Sequence, residues 1–562
     1  MKKIVLNSIL VFVCACLYAQ PTHPPLDSLA LAQAPEYKSI ASALQADKDK
    51  VYKLKLEGID KRYVMEVFQF RNLQVLVLSR NDLTTLPAEI GQLTNLQELD
   101  CSYNPLTLLP ADIGKLTNLK KLVFYSDKLT TLPAEIGQLT NLQELHCSYN
   151  QLTTLPAEIG KLLKLKDLYC FNNKLAALPT EIGQLINLTK LDCHSNRLTT
   201  LPAELEKLAS LTKLDCSYNP FTTFPAVITR LTNLQELSYS GNSLYTLPTD
   251  IGKLTNLTRL YCPDNKLTAL PAAIGKLTNL KSLICNNNQL ITFPAEIGQL
   301  TNLKELICNN NKLTTFPAEI GHLTNLKSLI CYNNQLTTFP AEIGQLVNLK
   351  ELKCEQNRLT TLPAEIGKLV NLTELRFYEN QLTALPAEIG RLTSLTELNC
   401  YQNQLTTLPA EIGKLTNLQK LDCSVNKLTS LPAEIGQLTN LKELKCDQNE
   451  LITLPAEIGK LANLQKLDCA VNQLTAFPKE IGQLAKLTEL KSVGNKLTTL
   501  PKEIGKLISL TNFDCAVNPL TALPKEMGKL INLKELDLRK TLISDEEKQK
   551  IKKLLPDCGI KF

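Results

Sequence analysis

The chain has 562 residues, more than a single compact core usually holds, with 21% charged residues and a net charge of +6. Acidic and basic residues are interspersed along it rather than gathered in blocks, which excludes a nucleic-acid footprint. Trp is absent and His occurs four times, which leaves little for acid–base or metal chemistry.

Lys2 and Lys3 precede an almost wholly apolar run from Ile4 to Tyr18. That is the layout of a secretory signal peptide over residues 1–19, too short to span a bilayer as a stable helix. Two mature starts stay open. Cleavage after Ala19 leaves Gln20 first, while Val13-Cys14-Ala15-Cys16 resembles an imperfect bacterial lipobox that would put a lipid on Cys16. Either start implies export, into the medium or onto the outer surface of a bacterial cell, and the Cys16 lipid would be the one membrane link. Residues 20–36 are Pro-rich and read as a flexible leader. A cap follows over 37–72, with helical spacing from Tyr37 to Asp47 and a first strand at Val51, Leu54 and Leu56, one residue out of phase with what comes next.

From residue 73 to 532 the chain repeats every 23 residues. Stepping from Asn81 gives Asn104, Asp127, Asn150, Asn173 and so on to Asn518, twenty coils without an insertion, and Asp127 alone breaks the Asn column. The first coil reads Leu73-x-x-Leu76-x-Leu78-x-x-Asn81-x-Leu83-x-x-Leu86-Pro87-x-x-Ile90-Gly91-x-Leu93. Leu76 and Leu78 alternate with polar neighbours at period two, which predicts a short strand buried on one face. The anchor Asn sits where its amide can satisfy backbone groups that an irregular coil leaves unpaired. Pro87 and its equivalents fix the chain after the strand, and Ala88-Glu89-Ile90-Gly91 predicts a helical turn with Gly as its stop. Residues 533–562 form a second cap, with Thr541 in the anchor slot, a capping box at Ser544-Asp545-Glu546-Glu547 opening a charged helix, and a last short strand in 558–562.

This frame resembles the leucine-rich-repeat family over the whole array. The resemblance implies an α/β solenoid: a horseshoe with a concave parallel β-sheet and short helical turns on the convex side. It implies a non-enzymatic protein that recognises a macromolecular partner on the concave face. Exported bacterial members of the internalin-like kind are similar, although their repeat length differs, and they suggest an adhesin or a host-surface protein. The Leu-Pro-x-Glu-Ile-Gly frame is also similar to Ras-binding intracellular members, which keeps an adaptor reading open, as does a structural spacer.

Fifteen cysteines, from Cys101 to Cys515, stand three residues before the anchor, in the slot that Leu78, Phe124, Tyr239 and Phe377 fill in other coils. That position marks them as reduced, buried core residues rather than a disulfide framework. The outer stretch Pro-Ala-Glu-Ile-Gly-Gln-Leu-Thr-Asn-Leu recurs with little change, whereas the exposed strand positions two and four before the anchor vary. Two patches stand out among them. One gathers Tyr103, Tyr125, His146, Tyr149, Tyr169, Phe171, His194, Tyr218 and Tyr261. The other is a stripe of Ile284, Ile307 and Ile330 with Asn286, Asn309 and Tyr332 beside it. Aromatic and branched apolar groups on an exposed sheet face suit a protein partner, with a glycan as the other class. Lys353, Glu355, Arg376, Tyr378, Tyr401, Asp422 and Lys445 read as a solvated mixed-charge surface. No catalytic set, metal site or cofactor motif emerges: every Gly-Lys pair is followed by Leu, His146 and His194 lie two coils apart, and His23 and His322 fall elsewhere. A monomer without nucleic-acid partners is the expectation.

Overall fold

Val75–Val77 is one short strand, with Leu76 fully buried between two partly buried valines. Its neighbour lies 23 residues on: Leu76 pairs with Leu99 in a parallel register, as Val75 does with Glu98 and Val77 with Asp100. Each coil therefore contributes a three-residue strand whose central Leu points into the core. The loop after the strand returns through Pro87 (φ −65°, ψ 151°), which opens a 3-10 helix at Ala88–Gln92, the first of twenty that end at Lys525–Lys529.

The computed structural model describes residues 25–59 and 61–562 and separates into two units, the first ending at Tyr261 and the second beginning at Cys262. The expected signal peptide, with Cys16, and His23 lie outside the described residues. In the first unit, parallel strands run in sequence order from Glu36–Tyr37 to Arg259–Tyr261. In the second they run from Ser282–Ile284 to Gly559–Lys561. Each unit has the expected α/β solenoid architecture, with parallel strands on one side and short helical turns on the other. No helix among the described residues is long and apolar enough to cross a membrane.

The anchor amides do what their column predicts. Asn150 Oδ1 accepts from Leu129 N–H at 2.9 Å, while its Nδ2 donates to the carbonyls of Phe124 (2.7 Å), Cys147 (3.2 Å) and Ser148 (3.2 Å). In the second unit Asn288 repeats the pattern with Leu267, Cys262, Cys285 and Asn286 at 3.0–3.1 Å. An amide serves both purposes because it carries a donor and an acceptor on one short stem. The cysteines are core residues: Cys147 is fully buried, its thiol donates to the Tyr169 carbonyl at 3.4 Å, and burial pushes its pKa up to about 12.

The structure corrects the sequence reading at three places. Gly91 does not stop its turn; it lies inside the 3-10 helix, whose C-cap is Leu93. Glycine is required there because a Cβ would stand 2.8 Å from the Asp112 carbonyl of the next coil, and at Gly298 the gap to the Glu319 carbonyl is 2.6 Å. The leader expected over 20–36 is ordered in its described part. Asp27 caps helix α1 (Ser28–Gln33) through a 2.8 Å bond from Ala30 N–H. Glu36–Tyr37 then pairs with Lys53 and Leu54, tied by a 2.8 Å Glu36–Lys55 ion pair. Composition marked the segment as loose, but strand pairing at the sheet edge organises it. The mixed-charge surface, finally, is not simply solvated: Glu355 is 4% exposed, and burial raises its pKa.

Candidate partner-binding face

Strand positions six and four before each anchor point to the same face because side chains alternate along a strand. The residue one before the anchor does something the sequence did not announce. It takes the left-handed conformation in coil after coil, with φ 57° at Tyr103, 56° at Tyr149, 52° at Tyr218 and 54° at Asn287. Asn and Gly tolerate this region at little cost, whereas other residues are strained there. Tyr103, Tyr149 and Tyr218 are therefore not strand residues. They sit on the turn that leaves the strand, 48%, 45% and 53% exposed.

Five of the nine first-patch side chains form one continuous cluster. Tyr103 meets Tyr125 at 5.3 Å between ring centroids, Tyr125 meets Tyr149 at 4.9 Å, Tyr149 meets Phe171 at 5.5 Å, and Phe171 stacks on His194 at 4.3 Å. Tilted and edge-to-face packing at these separations holds the rings in place. Arg80 extends the cluster, with its guanidinium 5.1 Å from the Tyr103 ring centre. His146 and Tyr169 form a separate stacked pair at 4.2 Å. Tyr218 lies against Gly241, where any Cβ would meet its ring, and Tyr261 closes the strand series of the unit in register with Ser238.

Both imidazoles are held by carboxylates two residues earlier in the chain: His146 Nε2 lies 2.5 Å from Glu144 and His194 Nδ1 lies 2.6 Å from Asp192. Burial by itself depresses the His194 pKa, but the Asp192 carboxylate outweighs it and the net value is raised. Burial raises the Tyr125 pKa, and the neighbouring tyrosines add to it, so this hydroxyl stays protonated.

In the second unit Ile284, Ile307 and Ile330 stand in register on adjacent strands, and Lys353 ends the stripe. Tyr332 lies beside them, partly buried, while Asn309 is only 4% exposed. On the turn next to the stripe the left-handed residues bond one another. Asn287 donates to Asp264 at 2.6 Å, Asn310 to Asn287 at 2.5 Å and Asn333 to Asn310 at 2.8 Å. Further along, Lys353 pairs with Glu351 and Glu374, and Arg376 lies 2.6 Å from Glu374 and 3.4 Å from Glu397.

The uniformity of the outer face has a structural cause. Besides the glycine approach, its Asn residues form a ladder of their own: Asn141 donates to the Thr117 carbonyl at 2.8 Å and Asn325 to the Thr301 carbonyl at 2.9 Å. Asn187, Asn256 and Asn371, which open Asn-Leu-Thr sequences, are rungs of the same kind. The contrast between a variable inner and a constant outer face therefore does not by itself identify a binding surface. The chemistry of the inner residues has to do so.

A family model described as a leucine-rich repeat region matches residues 50–174, 146–243, 239–337, 318–404, 398–491 and 447–558. No curated protein matches the chain. Among solved structures, a plant peptide hormone receptor, RGFR1 in complex with RGF2, is 30% identical, covering 87% of this chain and 85% of its own, with a TM-score of 0.66. The Arabidopsis receptor kinase HAESA, in complex with the peptide hormone IDA and the co-receptor SERK1, is 25% identical over 89% and 85%, with a TM-score of 0.64. YopM from Yersinia enterocolitica is 28% identical over 83% and 93%, with a TM-score of 0.62.

Proposed function

The chain belongs to the leucine-rich-repeat family, and from that premise we propose that it is an exported, non-enzymatic protein whose first unit grips a protein segment with its aromatic face. The observation that carries the reading is the packed run from Tyr103 through Tyr125, Tyr149 and Phe171 to His194. Rigid rings offer large contact area at little entropic cost, and Tyr is enriched at the energetic centres of protein interfaces. The similar plant receptors are solved with peptide hormones, which supports a peptide or protein ligand over a glycan. The family scaffold is typically a binding module, and its function lives in residues grafted onto it.

Export rests on Lys2, Lys3 and the apolar run to Tyr18. In this reading the mature chain is secreted or displayed on the outer surface of a bacterial cell, as an adhesin or host-surface binder. Protease shaving of intact cells with mass spectrometry of the mature N-terminus tests it. A start at Gln20 or a lipidated Cys16 supports export, whereas a protected chain starting at Met1 moves the intracellular adaptor to first place.

Binding is tested by panning a random-peptide display library on the purified protein and titrating enriched peptides against Tyr149→Ala/Phe171→Ala. The reading predicts weakening of roughly tenfold or more, about 1.4 kcal/mol. Peptides that bind both proteins equally, or no enrichment, sink it.

A further inference from the structure

Seven aspartates stand four residues before an anchor and do the same local job, accepting from the backbone N–H two residues on. Examples are Asp100 with Ser102 (2.8 Å), Asp215 with Ser217 (3.0 Å), Asp422 with Ser424 (3.1 Å) and Asp468 with Ala470 (3.1 Å). This explains why Asp recurs in the slot, and most instances need nothing more. Two pairs differ, because they place carboxylates on adjacent strands in register: Asp192 beside Asp215, and Asp514 beside Asp537.

Two aligned carboxylates repel each other and need a positive partner. The second pair has one: Arg539 bonds Asp537 through Nε at 3.0 Å and Nη2 at 2.6 Å. In the first pair Ser217 stands where Arg539 does, and the cationic partner on hand is instead His194, two residues after Asp192. The lysines of the same two strands pair with neighbouring coils instead, Lys190 with Asp167 at 3.6 Å and Lys213 with Glu236 at 2.8 Å. Burial holds the Asp215 carboxyl above its ordinary range, and the charge on Asp192 adds to that.

We infer that Asp192, His194 and Asp215 form a binding site for a late first-row divalent cation such as Zn²⁺, Ni²⁺ or Co²⁺ on the strand face of the first unit. One donor atom from each of the three lies within 4.8 Å of the others. Ligands around one such ion at about 2.0–2.2 Å stand roughly 3.4 Å apart, so small side-chain rotations close the set. An imidazole with two carboxylates suits these ions rather than Ca²⁺ or Mg²⁺, which take oxygen alone. Phe171 stacks on the imidazole at 4.3 Å and limits its rotation. Three protein donors leave coordination positions open toward solvent. The sequence hides the arrangement because Asp215 lies in a different coil from the other two, and only the 23-residue register brings it alongside.

The test uses tag-free, reduced protein titrated with Co²⁺ near pH 7.5, followed by visible absorption and calorimetry. The expected result is one saturable equivalent without a thiolate-to-cobalt charge-transfer band, weakened roughly tenfold or more in both His194→Gln and Asp215→Asn. Zn²⁺ should displace the bound Co²⁺. In the unsubstituted protein Zn²⁺ should also shift the His194 imidazole nitrogen resonances, a readout independent of how the variants fold. Absence of saturable binding, a thiolate band, unchanged affinity in either folded variant, or unmoved His194 resonances would overturn the assignment.

Discussion

The two units share one coil frame and differ in what they put on it. In the second unit the variable positions satisfy each other. Asp264, Asn287, Asn310 and Asn333 are linked by side-chain hydrogen bonds, and Glu351, Lys353, Glu374, Arg376 and Glu397 form a web of ion pairs. In the first unit the same positions carry rings that pack on one another edge to face, tilted or stacked, and leave Tyr103 and Tyr149 about half exposed. A surface that bonds itself offers a partner little, whereas exposed rigid rings gain by being covered. Fold and recognition are therefore separable here: anchor, Leu, Pro and Gly positions build both units alike, and three or four positions per coil decide what each can bind.

One rung of the anchor column carries Asp in place of Asn. Asp127 is 7% exposed, and its Oδ2 has no hydrogen-bond partner where an Asn would donate. Burial raises its pKa from 3.8 to about 7, opposed by the Asn104 and Leu106 N–H bonds. A pKa raised on folding means stability is full below about pH 4 and lost as pH climbs through 7. Asp127→Asn should therefore stabilise the first unit by about 3 kcal/mol at pH 8, with a gain that shrinks toward zero near pH 4. Urea melts at both pH values check it; a gain independent of pH would contradict the ionisation account.

Next come the anchors. Asn150→Ala and Asn288→Ala each remove a donor–acceptor pair from buried backbone and should cost roughly 1–3 kcal/mol, equally within error. A clear inequality in urea melts would break the claim that one frame builds both units. Gly298→Ala, which must push back the Glu319 carbonyl, should cost about 1–3 kcal/mol by the same assay.

The smallest effect concerns the left-handed slot. Val425, Val471 and Val517 occupy it at φ 51–56°, where a β-branched residue is strained. Val471→Asn should raise stability by about 1 kcal/mol, visible as a higher thermal midpoint. Because valines share the slot with Tyr103 and Tyr149, strain alone does not mark function, and a null result would remove strain from the account of both units.

Much of this was legible in the sequence. The Asn column, the buried cysteines and the parallel strands follow from a 23-residue period with Leu at alternate positions. What stayed hidden depends on geometry between coils. Gly91 looks like a helix stop until the next coil's carbonyl is seen 2.8 Å from its missing Cβ. Asp127 looks like a conservative exchange until its second oxygen is found unpartnered. Tyr149 reads as a strand residue because period-two alternation says nothing about the left-handed turn that follows. The aromatic patch was visible as a list, but not that Tyr103, Tyr125, Tyr149, Phe171 and His194 touch while His146 and Tyr169 pair apart.

The most direct test of the central claim is one titration of a selected peptide against Tyr149→Ala/Phe171→Ala, with Ile284→Ser/Ile307→Ser alongside and urea midpoints for each. The account predicts roughly tenfold or greater weakening for the first variant alone, with both midpoints unchanged. Equal affinity for all three proteins, or weakening only in the isoleucine variant, would contradict it.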